Sequence, residues 1–230
     1  MGQSTRWCFA WHVPAPGQQG AQDRAALQKA GMWTPGETIT VKFLDGDPAV
    51  QARVQQYAAD WTAPGRAGLS LDFAGGDDTT DVRISFKQEG SWSALGKSCR
   101  YVTDQAEPTM NYGWLDADST TEEIQRVVRH EFGHAMGLIH EHQNPAGGIK
   151  WNRQVVIDAL SGPPNNWSVD QIEFNVLQPA ESAEHNYTEL DPKSIMLYAF
   201  PPEWTENGFA GGSNIDLSAT DVTFIHEQYP

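Results

Sequence analysis

His130-Glu131-Phe132-Gly133-His134-Ala135-Met136-Gly137-Leu138-Ile139-His140 decides how this chain is read. Two histidines four residues apart fall on one helix face, one turn apart, so both imidazoles can reach a single ion. Were the helix to continue, His140 would lie ~9 Å further along the axis than His134, too far to share that ion. The chain must therefore turn. Gly137 stands where the turn is needed, because glycine enters the left-handed region cheaply and so can end a helix. Three neutral imidazoles suit Zn²⁺ and leave a fourth position for water, as in catalytic sites; structural zinc sites are usually closed by thiolates. Glu131, beside the first ligand, can take a proton from that water. A buried helix with incidental histidines is the plainer alternative. It explains less, since Ile124, Val127, Val128, Phe132, Ala135, Met136 and Ile139 already supply the apolar face that a core helix needs.

The stretch matches the H-E-x-x-H-x-x-G-x-x-H signature of the metzincin metalloproteases at every fixed position. Ahead of it, Asp116-Ala117-Asp118-Ser119-Thr120-Thr121-Glu122-Glu123 offers two capping boxes, Ser119 with Glu122 and Thr120 with Glu123. Capping is the better use of these acids, which also oppose the positive helix terminus; calcium ligation is the alternative.

Residues 1–32 read as an arm broken by Pro14, Pro16, Gly17 and Gly20, with helical composition only from Gln22 to Ala30. Trp33-Thr34-Pro35-Gly36 turns into a strand over Glu37 to Leu44, and a helix is expected from Ala49 to Thr62 on the stripe Val50, Val54, Tyr57, Ala58 and Trp61. Alternating runs at Leu69 to Phe73 and Asp81 to Lys87 are further strands. Gly90-Ser91-Trp92-Ser93 is turn-like, and Thr109 to Trp114 reads as a short edge strand able to pair with a peptide. Beyond His140 the pattern loosens into short helices at Asn152 to Leu160 and Ser168 to Leu177. Ser218-Ala219-Thr220-Asp221 then caps a terminal helix. The expectation is an α+β bilobal single domain: a twisted, mostly parallel N-terminal sheet with two long helices over about 33–140, and an irregular lobe with a terminal helix over about 141–230. The zinc cleft lies between them.

The 230 residues suffice for such a domain, and 39% hydrophobic content with nine tryptophans supports a packed core. A net charge of -15 argues against nucleic acid and anionic membranes as partners, and no run of 18 apolar residues reads as a membrane span. The opening residues carry no apolar signal core. Secretion with the signal peptide removed is the expected setting, with the cytosol as alternative, and a monomer is expected. Cys8 and Cys99 admit three readings: a disulfide tying the arm to the body, two free thiols, or Cys8 as a thiolate that blocks the zinc. His12, His142, His185 and His226 receive no ligand role, although His142 is near enough in sequence to support the site. Asp45 with Asp47, and Asp77 with Asp78, are candidate calcium loops, though turn acids explain them more simply.

Ser194-Ile195-Met196-Leu197-Tyr198 carries a second resemblance, to the astacin branch of the metzincins. There a methionine turn underlies the metal and a tyrosine two residues later reaches it, the positions of Met196 and Tyr198. Trp33 to Gly36 resembles the start of the mature astacin sheet, Gly90 to Gly96 its glycine-tryptophan-serine loop, and Glu141 follows the third histidine as theirs does, where it contacts the mature N-terminus. The resemblance implies a bilobal zinc endopeptidase acting on protein or peptide substrates, with one catalytic zinc on His130, His134, His140 and Tyr198. It makes Glu131 the general base, Tyr198 a stabiliser of the oxyanion, Met196, Gly137 and Glu141 structural supports, and Thr109 to Trp114 the strand that pairs with substrate. Leu197 stands where astacins have histidine, and two cysteines cannot make their usual pair of disulfides. The long stretch before Trp33 is then a stapled arm or a retained pro-segment, in which Cys8 or Asp23 would occupy the zinc. A zinc amidase on a non-protein substrate and a non-catalytic zinc-binding module are the rival functions; intact Glu131 and Tyr198 speak against the second.

Overall fold

The computed structural model describes residues 8–11, 13–14, 31–74, 79–144, 146, 148–163, 165–179 and 189–230. The helical reading of Gln22 to Ala30, and the readings of Asp23, Asp77, Asp78, His12 and His185, lie outside those residues. A sheet of six strands, β1 (Cys8–Trp11), β2 (Thr38–Phe43), β3 (Ser70–Asp72), β4 (Val82–Ser85), β5 (Ser91–Ala94) and β6 (Met110–Tyr112), runs in the order β1-β5-β6-β4-β2-β3. Every pairing is parallel except β5 with β6. A mostly parallel sheet needs helical cover, and α1 (Pro48–Ala58) and α2 (Thr121–Ala135) pack on each other and, through α2, on β5.

Two strand expectations need correction. Ser91 to Ala94 is not a turn but a wholly buried strand; Gly90, at φ 76°, makes the turn just before it. Small serines alternating with Trp92 hide the usual β-branched signal. Nor is Met110–Tyr112 an edge, because β5 and β4 occupy its two sides. The outer side of β5 carries β1 in parallel register, Cys8 opposite Ser91 and Trp11 opposite Ala94.

α2 owes its position to its apolar stripe and to its backbone ends. Ile124, Val127, Val128 and Phe132 are fully buried, each contributing up to about 1.5–3 kcal/mol relative to exposure. Thr120 accepts from the Glu123 N–H at 3.2 Å, which selects the second of the two capping boxes considered for its cap. At the far end the Trp33 indole donates to the Ala135 carbonyl (2.7 Å) and the Tyr229 hydroxyl to the Met136 carbonyl (2.6 Å). These are carbonyls that a helix leaves without partners of its own. Trp61 donates to the Arg129 carbonyl at 2.8 Å, and the Arg129 guanidinium binds Asp60 and Asp216. The helix is thereby tied to segments from both ends of the chain.

The second lobe is irregular, as expected: α3 (Arg153–Ser161), α4 (Val169–Ile172) running into a π turn over Glu173–Leu177, and the terminal α5 (Ala219–Gln228) with its capping box on Ser218 and Asp221. Three of the acids considered for calcium accept hydrogen bonds. Asp45 accepts from the Ser85 hydroxyl and the Phe86 N–H, Asp47 caps α1 through Ala49, and Asp116 accepts from Asp118 and Ser119.

Candidate metal centre

The end of α2 builds the site. Gly137 N–H donates to the His134 carbonyl and Leu138 N–H to the Gly133 carbonyl, the paired bonds of a Schellman ending, with Gly137 at φ 99°. The reversal returns His140 to the rod. One ring nitrogen from each of His130, His134 and His140 lies within 4.8 Å of the others, and all three rings are buried. Gly133 serves a separate purpose. A Cβ there would sit 2.3 Å from the Met196 sulfur and 3.1 Å from the Trp61 ring, so the methionine turn approaches the helix at the one residue without a side chain.

Backbone carbonyls orient the rings. His130 Nδ1–H donates to the Ile195 carbonyl and His134 Nδ1–H to the Leu138 carbonyl, both at 2.8 Å, which turns each Nε2 lone pair inward. His130 Nε2 is buried without a hydrogen-bond partner, and the Nε2 atoms of His134 and His140 face each other at 3.0 Å. Burial lowers His130 to about 4 and His140 well below its ordinary value, so these two rings are neutral at physiological pH. Inward lone pairs on neutral imidazoles fit a divalent cation, and this donor set suits zinc.

Glu131 sits beside the cluster at 0% exposure, neither oxygen having a partner of hydrogen-bond geometry. Burial pushes its carboxyl up to about 8 against the lowering influence of the neighbouring Cys8 thiol and Arg126. Glu141, pushed up to about 7 chiefly by burial, accepts from the Asp191 N–H and Asn144 while its own N–H donates to the Met196 carbonyl. It ties the third ligand to the methionine turn. The Tyr198 ring lies against both His140 (centroids 4.2 Å apart, tilted) and His142 (4.7 Å, stacked), and its hydroxyl donates to the Cys8 carbonyl. His142, which sequence reasoning left as no more than a support, is buried and donates to the Asn175 carbonyl at 2.8 Å. His226 is an exposed surface residue near the Arg66 carbonyl.

The cysteine expectation is corrected: Cys8 and Cys99 are free thiols, not a disulfide. Strand β1 turns Cys8 to the metal cluster, within 4.8 Å of His130 and Glu131, whereas Cys99 lies in the turn Gly96–Tyr101 near Asp81 and Arg83. Burial pushes the Cys99 thiol up to about 12, leaving it unreactive. Sequence reasoning did not foresee the backbone carbonyls that aim the imidazoles, nor the link from Ser194 to Asp221 described below; both join segments far apart in the chain.

A mixed sheet roofed by two helices, a three-histidine cluster at a helix reversal and a methionine turn beneath it define a metzincin. No family model matches the sequence, and no curated protein matches it. Solved structures do. One structure of myroilysin is 38% identical with a TM-score of 0.81, covering 88% of this chain and 97% of that one; a second is 35% identical with a TM-score of 0.68, covering 98% and 91%. High choriolytic enzyme 1, a hatching enzyme zinc-protease from Oryzias latipes (medaka fish), shares the fold at 14% identity and a TM-score of 0.55 over 86% of this chain and 94% of that one. The chain belongs to the astacin-like zinc metalloproteases of the metzincin clan, with myroilysin among its relatives.

Proposed function

We propose that this protein is a zinc-dependent endopeptidase whose N-terminal arm, residues 1–32, closes its own cleft. The observation that carries the reading is the convergence of three buried imidazole nitrogens within 4.8 Å of one another, next to a buried carboxylate. His130, His134 and His140 would hold the metal, with Tyr198 as a further ligand. Zinc bound there would acidify water and polarise a carbonyl. Glu131 takes a proton from the attacking water and returns it to the leaving amine, a role open to a carboxyl buried beside His130 whose two oxygens have no partner of hydrogen-bond geometry. Tyr198, once freed from the Cys8 carbonyl, donates its hydroxyl proton toward the developing oxyanion. Met196 forms the apolar floor.

Strand β1 supports the self-blocked state. It fills the outer side of β5, where a peptide substrate would add as a strand, and it brings the Cys8 thiol among His130 and Glu131. A thiolate there would take the position that catalysis reserves for water. Silence of this kind suits an enzyme released before it is needed, so secretion is the setting we favour.

Casein digestion by chain trimmed of its arm, with zinc and with a chelator, tests the reading. Cleavage that the chelator abolishes and added zinc restores is expected. A trimmed, zinc-loaded protein inert toward casein would favour the amidase or the non-catalytic module.

A further inference from the structure

We infer that Asp221 is a positioning residue for the metal ligand His130, acting through the Ser194 hydroxyl and a single peptide group of the methionine turn. This rests on the metal site proposed above. His130 Nδ1–H donates to the Ile195 carbonyl at 2.8 Å. The same peptide group carries the Met196 N–H, which donates to Ser194 Oγ at 3.0 Å, and the Ser194 hydroxyl donates to Asp221 Oδ1 at 2.7 Å. Every donor in the chain points the same way, from imidazole to carboxylate, so each bond polarises the next. The other carboxylate oxygen accepts from the Ile195 and Ser218 N–H groups, both at 2.9 Å, which holds the acceptor still. His130, Ser194, Ile195, Met196 and Asp221 are all buried, so water does not dilute the effect.

Three consequences follow for His130. The Nδ1–H tautomer is enforced, leaving Nε2 as the lone pair. The ring plane is fixed against the turn. The electron density that reaches Nε2 is raised by a carboxylate three hydrogen bonds away, so the ligand binds a cation more strongly than a histidine resting on an ordinary carbonyl would. Sequence distance hides this: Asp221 lies in the first turn of α5, where a capping box accounts for it fully on local grounds. The capping role and the relay use different atoms. In the cap, Ser218 Oγ receives the Asp221 N–H and Asp221 Oδ2 the Ser218 N–H, whereas the Ser194 hydroxyl donates to Oδ1.

That separation provides the test. Zinc affinity of the full chain is measured by competition with a chromophoric chelator for wild type, Ser194→Ala, Asp221→Asn, the double variant and Ser218→Ala, with urea unfolding of each metal-free protein alongside. Ser194→Ala and Asp221→Asn should each raise the zinc dissociation constant about tenfold or more, and the double variant should be no worse than the weaker single one. Ser218→Ala should lower the unfolding midpoint yet bind zinc within about twofold of wild type. Should Asp221→Asn fail to fold, Ser194→Ala decides alone, since it removes one hydroxyl and keeps the carboxylate. Wild-type affinity in Ser194→Ala, or equal weakening in Ser218→Ala, overturns the relay. A wild-type chain that binds no stoichiometric zinc overturns the metal site itself, and the relay with it.

Discussion

Cys8 Sγ and a carboxylate oxygen of Glu131 lie within 4.8 Å of each other, with a ring nitrogen of His130 equally near. A sulfur from the arm thus sits at the corner of the site that the proposed mechanism gives to water and its base. Removal of the arm should raise casein hydrolysis by about tenfold or more, because only the fraction of molecules with β1 undocked can take substrate. Cys8→Ser in the intact chain should give a smaller rise, since the strand pairing with β5 remains. Equal activity before and after trimming would show that the arm is no barrier.

Tyr198 should affect the intact and trimmed proteins in opposite directions. Its hydroxyl fastens the Cys8 carbonyl, so Tyr198→Phe loosens the arm and makes the intact chain leakier. In trimmed enzyme the same change removes an oxyanion donor and should lower kcat by about 10²-fold with little change in KM. Steady-state kinetics on both forms read the two signs.

The glycines of the zinc helix are separable by their reasons. Gly133→Ala drives a methyl group to 2.3 Å from the Met196 sulfur and should cost about 1–3 kcal/mol in urea unfolding, with weaker zinc binding as the turn is pushed away. Gly137→Ala meets a milder crowding, its Cβ falling 3.3 Å from the Met32 sulfur and 3.5 Å from the Tyr229 hydroxyl. Its φ of 99° still strains any side chain, for a loss of about 1 kcal/mol or more.

Acid should weaken the fold partly through Glu37. Burial works to raise its carboxyl, yet Lys97, the Thr34 N–H and Arg100 hold it at about 2, down from 4.5. A depressed folded-state value means stability that is present above 4.5 and is lost as pH falls toward 2. Glu37→Gln should therefore be less stable at neutral pH and show a shallower decline across that window. Urea midpoints of the metal-free proteins, taken down the acid range, measure it.

What could be read from the chain beforehand was what repeats locally. The three histidines, Glu131 and Gly137 follow from helical periodicity and one residue's freedom at positive φ, and the apolar stripes of α1 and α2 announced both helices. Strand β5 escaped notice because its serines and tryptophan are buried by partners on both sides, one of them contributed from some eighty positions earlier. The two cysteines look alike in the sequence. Only the pairing of β1 with β5 sends Cys8 to the metal cluster and leaves Cys99 elsewhere. The Asp221 link was hidden by a local explanation that is also true, the cap of α5.

The central claim, that a metal gripped by His130, His134 and His140 works with Glu131 as its base, comes down to casein turnover by arm-trimmed Glu131→Gln carrying a full complement of zinc. The amide keeps the shape of the side chain but cannot accept the proton, so turnover should fall by about 10²–10⁴-fold with zinc content unchanged. Turnover at the level of the trimmed wild type would contradict the account.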